Sequence, residues 1–224
     1  MTNISYSQKE IVSNLLKVEH KNYAATLGLV DAPTIHLERK ELAEAISVVD
    51  RLSRNDQEFA KRVAILTIAL SWEYSNKDYK DSLREIFVTA LTRMGIGPST
   101  VLVDEGYKNE GVYSPFGSYI SKLSVIANQL KYEVDIHDKT YLLTDFQKNV
   151  WDSIDTNKVV CISAPTSAGK SFSIYLKIIQ KLTQEYKSVV YVVPTISLVN
   201  QVTKDLSNLV KEFNFRDVEI YTHI

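Results

Sequence analysis

Between the apolar run Val159-Val160-Cys161-Ile162 and a helical stretch from about Lys170 to Tyr186, the chain reads Ala164-Pro165-Thr166-Ser167-Ala168-Gly169-Lys170-Ser171. No other segment restricts the fold as much. Such a loop belongs between a buried strand and the N-terminus of a helix. Phosphate oxygens need several converging donors, which backbone N–H groups supply when the loop wraps closely and a helix N-terminus points inward. Gly169 lets the backbone approach without a Cβ in the way. Lys170 is expected to reach the β- and γ-phosphates as a point charge, and the Ser171 hydroxyl to ligate Mg²⁺. Thr166, Ser167 and Ala168 complete the expected cradle. Ala164 stands where the pattern usually has its first glycine, so the strict form is not met. The competing reading is a tight strand-to-helix turn that merely contains Gly-Lys-Ser.

What surrounds the loop agrees with it. Val189-Val190-Tyr191-Val192-Val193 is apolar without alternation, the mark of a strand covered on both faces. Leu198, Val202, Leu206, Leu209 and Val210 repeat at helical spacing, and Val218 to Tyr221 reads as a third strand. Successive strand–helix units predict a parallel sheet with right-handed crossovers. Ahead of them, Tyr132 to Ile136 and Thr140 to Leu143 are expected to pair across His137-Asp138-Lys139. A short helix runs from about Asp145 to Ile154.

Before residue 132 the spacing is helical throughout. Leu83, Ile86, Phe87, Ala90, Leu91 and Met94 share one helix face, and Gly95 sits where a left-handed C-terminal cap belongs. Ser114-Pro115 predicts a second helix start, with a stripe of Phe116, Tyr119, Ile120, Leu123, Ile126, Ala127 and Leu130. Phe59, Val63, Leu66 and Leu70 form a third stripe behind a capping pair, Asn55 and Glu58. Two further helices fall near Gln8–Val18 and Leu37–Leu52. The sequence thus predicts an α-helical domain, 1–131, followed by an α/β domain, 132–224.

Charge and cysteine narrow the function classes. With 26 basic and 27 acidic residues, the chain cannot bind nucleic acid by net charge alone, though a local groove remains open to it. The single cysteine forms no intrachain disulfide and no zinc cluster. No apolar run approaches 18 residues and no signal peptide opens the chain, so a cytoplasmic protein without membrane contact is expected.

Two more motifs flank the loop. Upstream is Leu143-Thr144-Asp145-Phe146-Gln147, with Gln147 lying 23 residues before Lys170. Downstream, after the second apolar run, is Pro194-Thr195-Ile196-Ser197-Leu198-Val199-Asn200-Gln201. In this order and spacing the three resemble the glutamine motif, motif I and motif Ia of superfamily 2 DExD/H-type helicases, over about residues 141–222. The resemblance implies a RecA-like P-loop parallel sheet, truncated here, with ATP and Mg²⁺ as cofactors. It implies that Gln147 reads adenine, since an amide both donates and accepts, and that Phe146 or Tyr141 offers a stacking surface. Against this, Thr144 and Gln147 also have the spacing of a capping box. It implies further that Pro194 and Thr195 touch the backbone of a DNA or RNA single strand, which positions a strand without reading bases. Thr195 or Ser197 as a simple helix cap is the competing reading.

Departures qualify the resemblance. Ser167 occupies a position often held by glycine, which stiffens the loop without removing N–H donors. Ile196 stands where DEAD-box proteins usually carry arginine, pointing to a translocating branch. No Asp-Glu-x-Asp/His follows the loop, and the pair Asp104-Glu105 precedes it in the wrong context. The second metal ligand, the water-orienting glutamate and a second RecA-like domain with its arginine finger are therefore expected beyond Ile224. A chain lacking them should bind ATP or ADP weakly and turn over very little. The implied function is the ATP-binding front of an ATP-dependent nucleic-acid motor, with the helical domain docking a protein partner or regulating the motor. The alternative is a non-enzymatic adaptor built on a degenerate nucleotide fold. Motif Ia speaks against a phosphate-loop kinase.

Overall fold

A computed structural model describes residues 4–108, 111–165, 168–185, 188–215 and 218–222. The chain divides into two compact units, residues 1–133 and 134–224.

The first unit is a helical bundle. Its helices are α1 (Tyr6–Thr26), α2 (Arg39–Ser53), α3 (Glu58–Glu73), α4 (Lys77–Arg93) and α5 (Tyr119–Gln129), with a 3₁₀ turn at Gly97–Leu102. Local chemistry sets their ends. Ser5 and Gln8 form a capping box at α1, and Glu38 and Glu41 form one at α2. Gly95, at φ +74°, ends α4. Its N–H donates to the Thr92 carbonyl and that of Ile96 to Leu91, closing a Schellman motif. Gly28 ends α1 the same way, at φ +68°.

The core of this unit holds Leu42, Val48, Val49, Leu83, Phe87, Val88, Leu91 and Met94, each large side chain contributing roughly 1.5–3 kcal/mol by its burial. On α3 the buried residues are Ala60, Ala64, Thr67, Ile68, Leu70 and Ser71, whereas Phe59 and Leu66 are exposed. The expected stripe is met at Leu70 and Val63 and overturned at Phe59 and Leu66. Small residues fill much of the inward face of α3, beside Ile68 and Leu70.

The helix expected to open at Ser114-Pro115 starts at Tyr119 instead, capped by the Ser118 hydroxyl. Tertiary contacts consume the earlier start signal. Buried Asp104 accepts from the Ser114 N–H at 3.0 Å and from its hydroxyl at 2.5 Å. Arg84 donates to the Ser114 and Pro115 carbonyls, and Glu85 accepts from the Gly117 and Ser118 N–H groups. The loop is thereby clamped to α4. Tyr119, Ile120 and Leu130 remain exposed on α5.

The second unit holds the hairpin β1 (Glu133–Ile136) and β2 (Lys139–Leu142), then α6 (Asp145–Thr156), α7 (Lys170–Glu185) and α8 (Ile196–Glu212). The hairpin turns through His137 at φ +58°, the left-handed region that two-residue turns favour. Val134, Ile136, Leu143, Trp151, Leu176, Ile179 and Phe213 form its core. Helices and a small antiparallel sheet thus make up this unit.

The expected parallel sheet is a different matter. Among the described residues the only sheet is the β1–β2 hairpin, and the runs 159–162, 189–193 and 218–221 join no ladder. Val159 is 81% exposed, and Val190 and Val192 are each 85% exposed. Strands of this composition are stable when flanked by neighbours and covered on both faces. Among the described residues no flanking strand is formed, so their composition alone does not produce pairing.

Candidate functional site

The site is built where α6 and α7 begin. Thr144 caps α6: its hydroxyl accepts from the Gln147 N–H at 3.2 Å, and the Gln147 side-chain oxygen accepts from the Thr144 N–H at 2.9 Å. The capping box is therefore formed. It leaves the side-chain nitrogen of Gln147 pointing onward, and that nitrogen donates to the Gly169 carbonyl in a long contact of 3.4 Å. Gln147 is buried. One amide thus fastens a helix start and touches the loop.

Gly169 has two reasons to be glycine. Its φ is +72°, and a Cβ built there would lie 2.3 Å from the Gln147 amide nitrogen. The same Gly169 carbonyl accepts from the Ser173 N–H at 3.3 Å as α7 begins. Ala168 donates to the Pro165 carbonyl at 3.1 Å, closing the preceding turn. Thr166 and Ser167 lie outside the described residues.

Lys170, the first residue of α7, arcs back across the loop. Its ammonium donates to the carbonyls of Ala164 at 2.5 Å and Pro165 at 2.7 Å. Ser171 follows it and is exposed. Four residues further on, Tyr175 is buried against Tyr191, their ring centres 5.8 Å apart, which fastens the 189–193 run to α7. Burial, reinforced by Tyr191 and Asp205, pushes the Tyr175 phenol above its ordinary pKa.

Pro194 and Thr195 are both exposed. The Thr195 hydroxyl accepts from the Leu198 N–H at 3.3 Å and caps α8. Among the described residues neither forms a hydrogen bond with the Gln147–Gly169–Lys170 group. Phe146 is half-buried on the first turn of α6. Tyr141 is already engaged: its ring meets Phe172 and Phe213 at 6.2 and 5.9 Å, and its hydroxyl contacts Glu212 at 3.2 Å.

Residues 144–223 match the DEAD/DEAH box helicase family. The match begins at the residue that caps α6 and takes in the loop, α7 and α8, just over a third of the chain. Comparison with curated proteins and with solved structures returns no match.

Two residues of the matched segment carry no clear signal in the sequence. Lys177 on α7 is buried. It donates to Asp155 at 2.6 Å and to Gln180 at 2.8 Å, and it lies over the Trp151 ring at 4.1 Å. Its only sequence signal is a lysine one turn before Lys181, amid the apolar residues Ile174, Leu176, Ile178 and Ile179. Phe172, directly after Ser171, is the other. Among the described residues no group of three or more His, Cys, Asp or Glu is arranged to hold a metal, and no helix is long and apolar enough to cross a membrane.

Proposed function

We propose that the loop around Gly169 binds the phosphates of ATP with Mg²⁺, and that this helicase domain is the nucleotide-holding front of a nucleic-acid motor with a RecA-like sheet. The observation that carries the reading is Gly169 itself, left-handed between Lys170 and Gln147 at the start of α7. The donor set suits a polyphosphate: a helix N-terminus, one ammonium and one exposed hydroxyl on adjacent residues. Bound Mg²⁺–ATP supplies the phosphoanhydride bond. Lys170 exchanges two carbonyl partners for phosphate oxygens, and Ser171 offers its hydroxyl to the cation. Ala168, with Thr166 and Ser167, adds backbone donors. Gln147, with Phe146 beside it, faces the base through the amide proton that Gly169 leaves over. Residues 171–224 hold no Asp-Glu-x-Asp/His, so nucleotide binding with little turnover is the activity proposed for the 224 residues.

For nucleic acid, Pro194 and Thr195 are the proposed backbone contacts, made through the Thr195 hydroxyl and N–H groups that open α8. The exposed Tyr119, Ile120 and Leu130 of α5 favour a docking role for the helical unit. An adaptor that never uses nucleotide is the rival reading.

Titration calorimetry with Mg²⁺–ATP and Mg²⁺–ADP tests the proposal. The wild-type chain should bind both, and Lys170→Ala should lose at least about tenfold in affinity while remaining folded. Absence of binding by the wild-type chain overturns the nucleotide reading and leaves the adaptor.

A further inference from the structure

Helices α6 and α7 are tied at two levels. At one, Gln147 meets the Gly169 carbonyl at 3.4 Å. At the other, Asp155 accepts from Lys177 at 2.6 Å through one oxygen and pairs with Lys181 at 3.1 Å through the other. Asp155 follows Gln147 by eight residues, and Lys177 follows Gly169 by eight. At 1.5 Å per residue both intervals are about 12 Å. The two helices therefore run side by side in the same direction, with both N-termini at the loop.

The second tie is an odd choice for mere cohesion. The Lys177 side chain is only 3% exposed, and burial pulls its pKa below the ordinary lysine value although Asp155 opposes the shift. Asp155 keeps 43% of its side chain exposed, so the desolvated partner is the lysine. An ion pair with a buried member is often no more stabilising than an apolar contact of equal volume, and its best-attested use is to fix register. An apolar seam tolerates sliding along the helix axes. A carboxylate held by two ammonium groups one helical turn apart, one of them resting on Trp151, does not.

We propose that Lys177 is a positioning residue for base recognition, holding Asp155 so that α6 keeps its register and Gln147 stays against the phosphate loop. This rests on the nucleotide reading above and adds a residue that no phosphate or base touches. Loss of the tie lets α6 shift along α7, moving the base-facing amide while the loop, anchored by Gly169 and Lys170 on α7, keeps its phosphate donors.

The test compares the full chain with Lys177→Met and Asp155→Asn for binding of Mg²⁺–ATP, Mg²⁺–GTP and Mg²⁺–tripolyphosphate. Wild type should prefer ATP. Both variants should lose about tenfold of the ATP-over-GTP preference, with tripolyphosphate affinity held within about twofold, and Lys177→Arg should recover the preference. Asp155 is more accessible than Lys177, so Asp155→Asn probes the tie even if Lys177→Met does not fold. Unchanged preference in a folded variant overturns the proposal and leaves the nucleotide reading intact. Equal binding of ATP and GTP by wild type does the same, and absence of all binding removes both.

Discussion

Gln147 and Gly169 are fitted to each other so closely that a single methyl group on the glycine would fall 2.3 Å from the amide nitrogen. The two residues are 22 positions apart and begin, or immediately precede, different helices. A helix cap and a phosphate-type loop have become one structure. Three consequences can be measured at this junction or near it, and a fourth in the helical unit.

Gly169→Ala meets two separate obstacles. The left-handed backbone costs an alanine about 1–2 kcal/mol, and its Cβ collides with the Gln147 amide. Adding Gln147→Ala removes the collision but not the backbone strain. Chemical denaturation of the second unit, followed through Trp151, should show Gly169→Ala destabilising more in the wild-type background than in Gln147→Ala. Equal effects in both backgrounds would show that the close approach has no energetic weight.

Thr144→Ala removes the hydroxyl that accepts from the Gln147 N–H and should cost about 1 kcal/mol, whereas Thr144→Ser should be close to neutral. The Gln147 side-chain oxygen keeps its bond from the Thr144 backbone N–H in both variants. ATP affinity should therefore stay within about twofold of wild type while stability falls, a split readable by paired melting and titration.

The pH profile of the second unit should bear the mark of the Asp155 tie. Hydrogen bonds from Lys177, with a smaller share from Lys181, hold the Asp155 carboxyl below the ordinary carboxylate range. A folded pKa below the unfolded one means stability that is present above the unfolded value and lost as pH falls through the folded value. Lys177 acts in the opposite range: burial lowers its pKa, so the unit gains stability as pH rises from that depressed value towards the ordinary lysine one. Asp155→Asn should flatten the acid limb. An unaltered acid limb in that variant would show the pair to be without thermodynamic effect.

In the helical unit, Ala64→Leu should destabilise by about 1–3 kcal/mol because α3 presents small residues inward. Phe59→Ser, on the exposed side of the same helix, should change stability by no more than about 0.5 kcal/mol. Trp72 reports on this unit as Trp151 does on the other. The reverse ranking would restore the face that apolar spacing alone suggests.

Much of the local structure was written into the chain at short range. The α4 stripe, the Gly95 cap, the hairpin about His137 and the Thr144–Gln147 box depend on residues within one or two turns of one another, so spacing is enough to read them. On α3 the reading went astray because periodicity ranks faces by apolar size. Packing ranked them by fit, and alanines won. The start of α5 was misplaced for a similar reason: Ser114 carries a cap-forming hydroxyl, but Asp104, ten residues away, takes it. The apolar runs at 159–162 and 189–193 have the composition of covered strands, yet pairing is a property of neighbours, and none is formed among the described residues.

Sequence alone therefore determined most of the helices, the Gly95 cap, the Thr144–Gln147 box and the left-handed turn at Gly169, because these follow from backbone freedom and side-chain type over a few residues. Tertiary structure decided which of two roles an amide would serve. Gln147 caps α6 and reaches the Gly169 carbonyl at once, because the helix start and the loop meet in space. It also decided that Lys177 would be buried on Asp155, since only the side-by-side course of α6 and α7 brings that charge and its partner together.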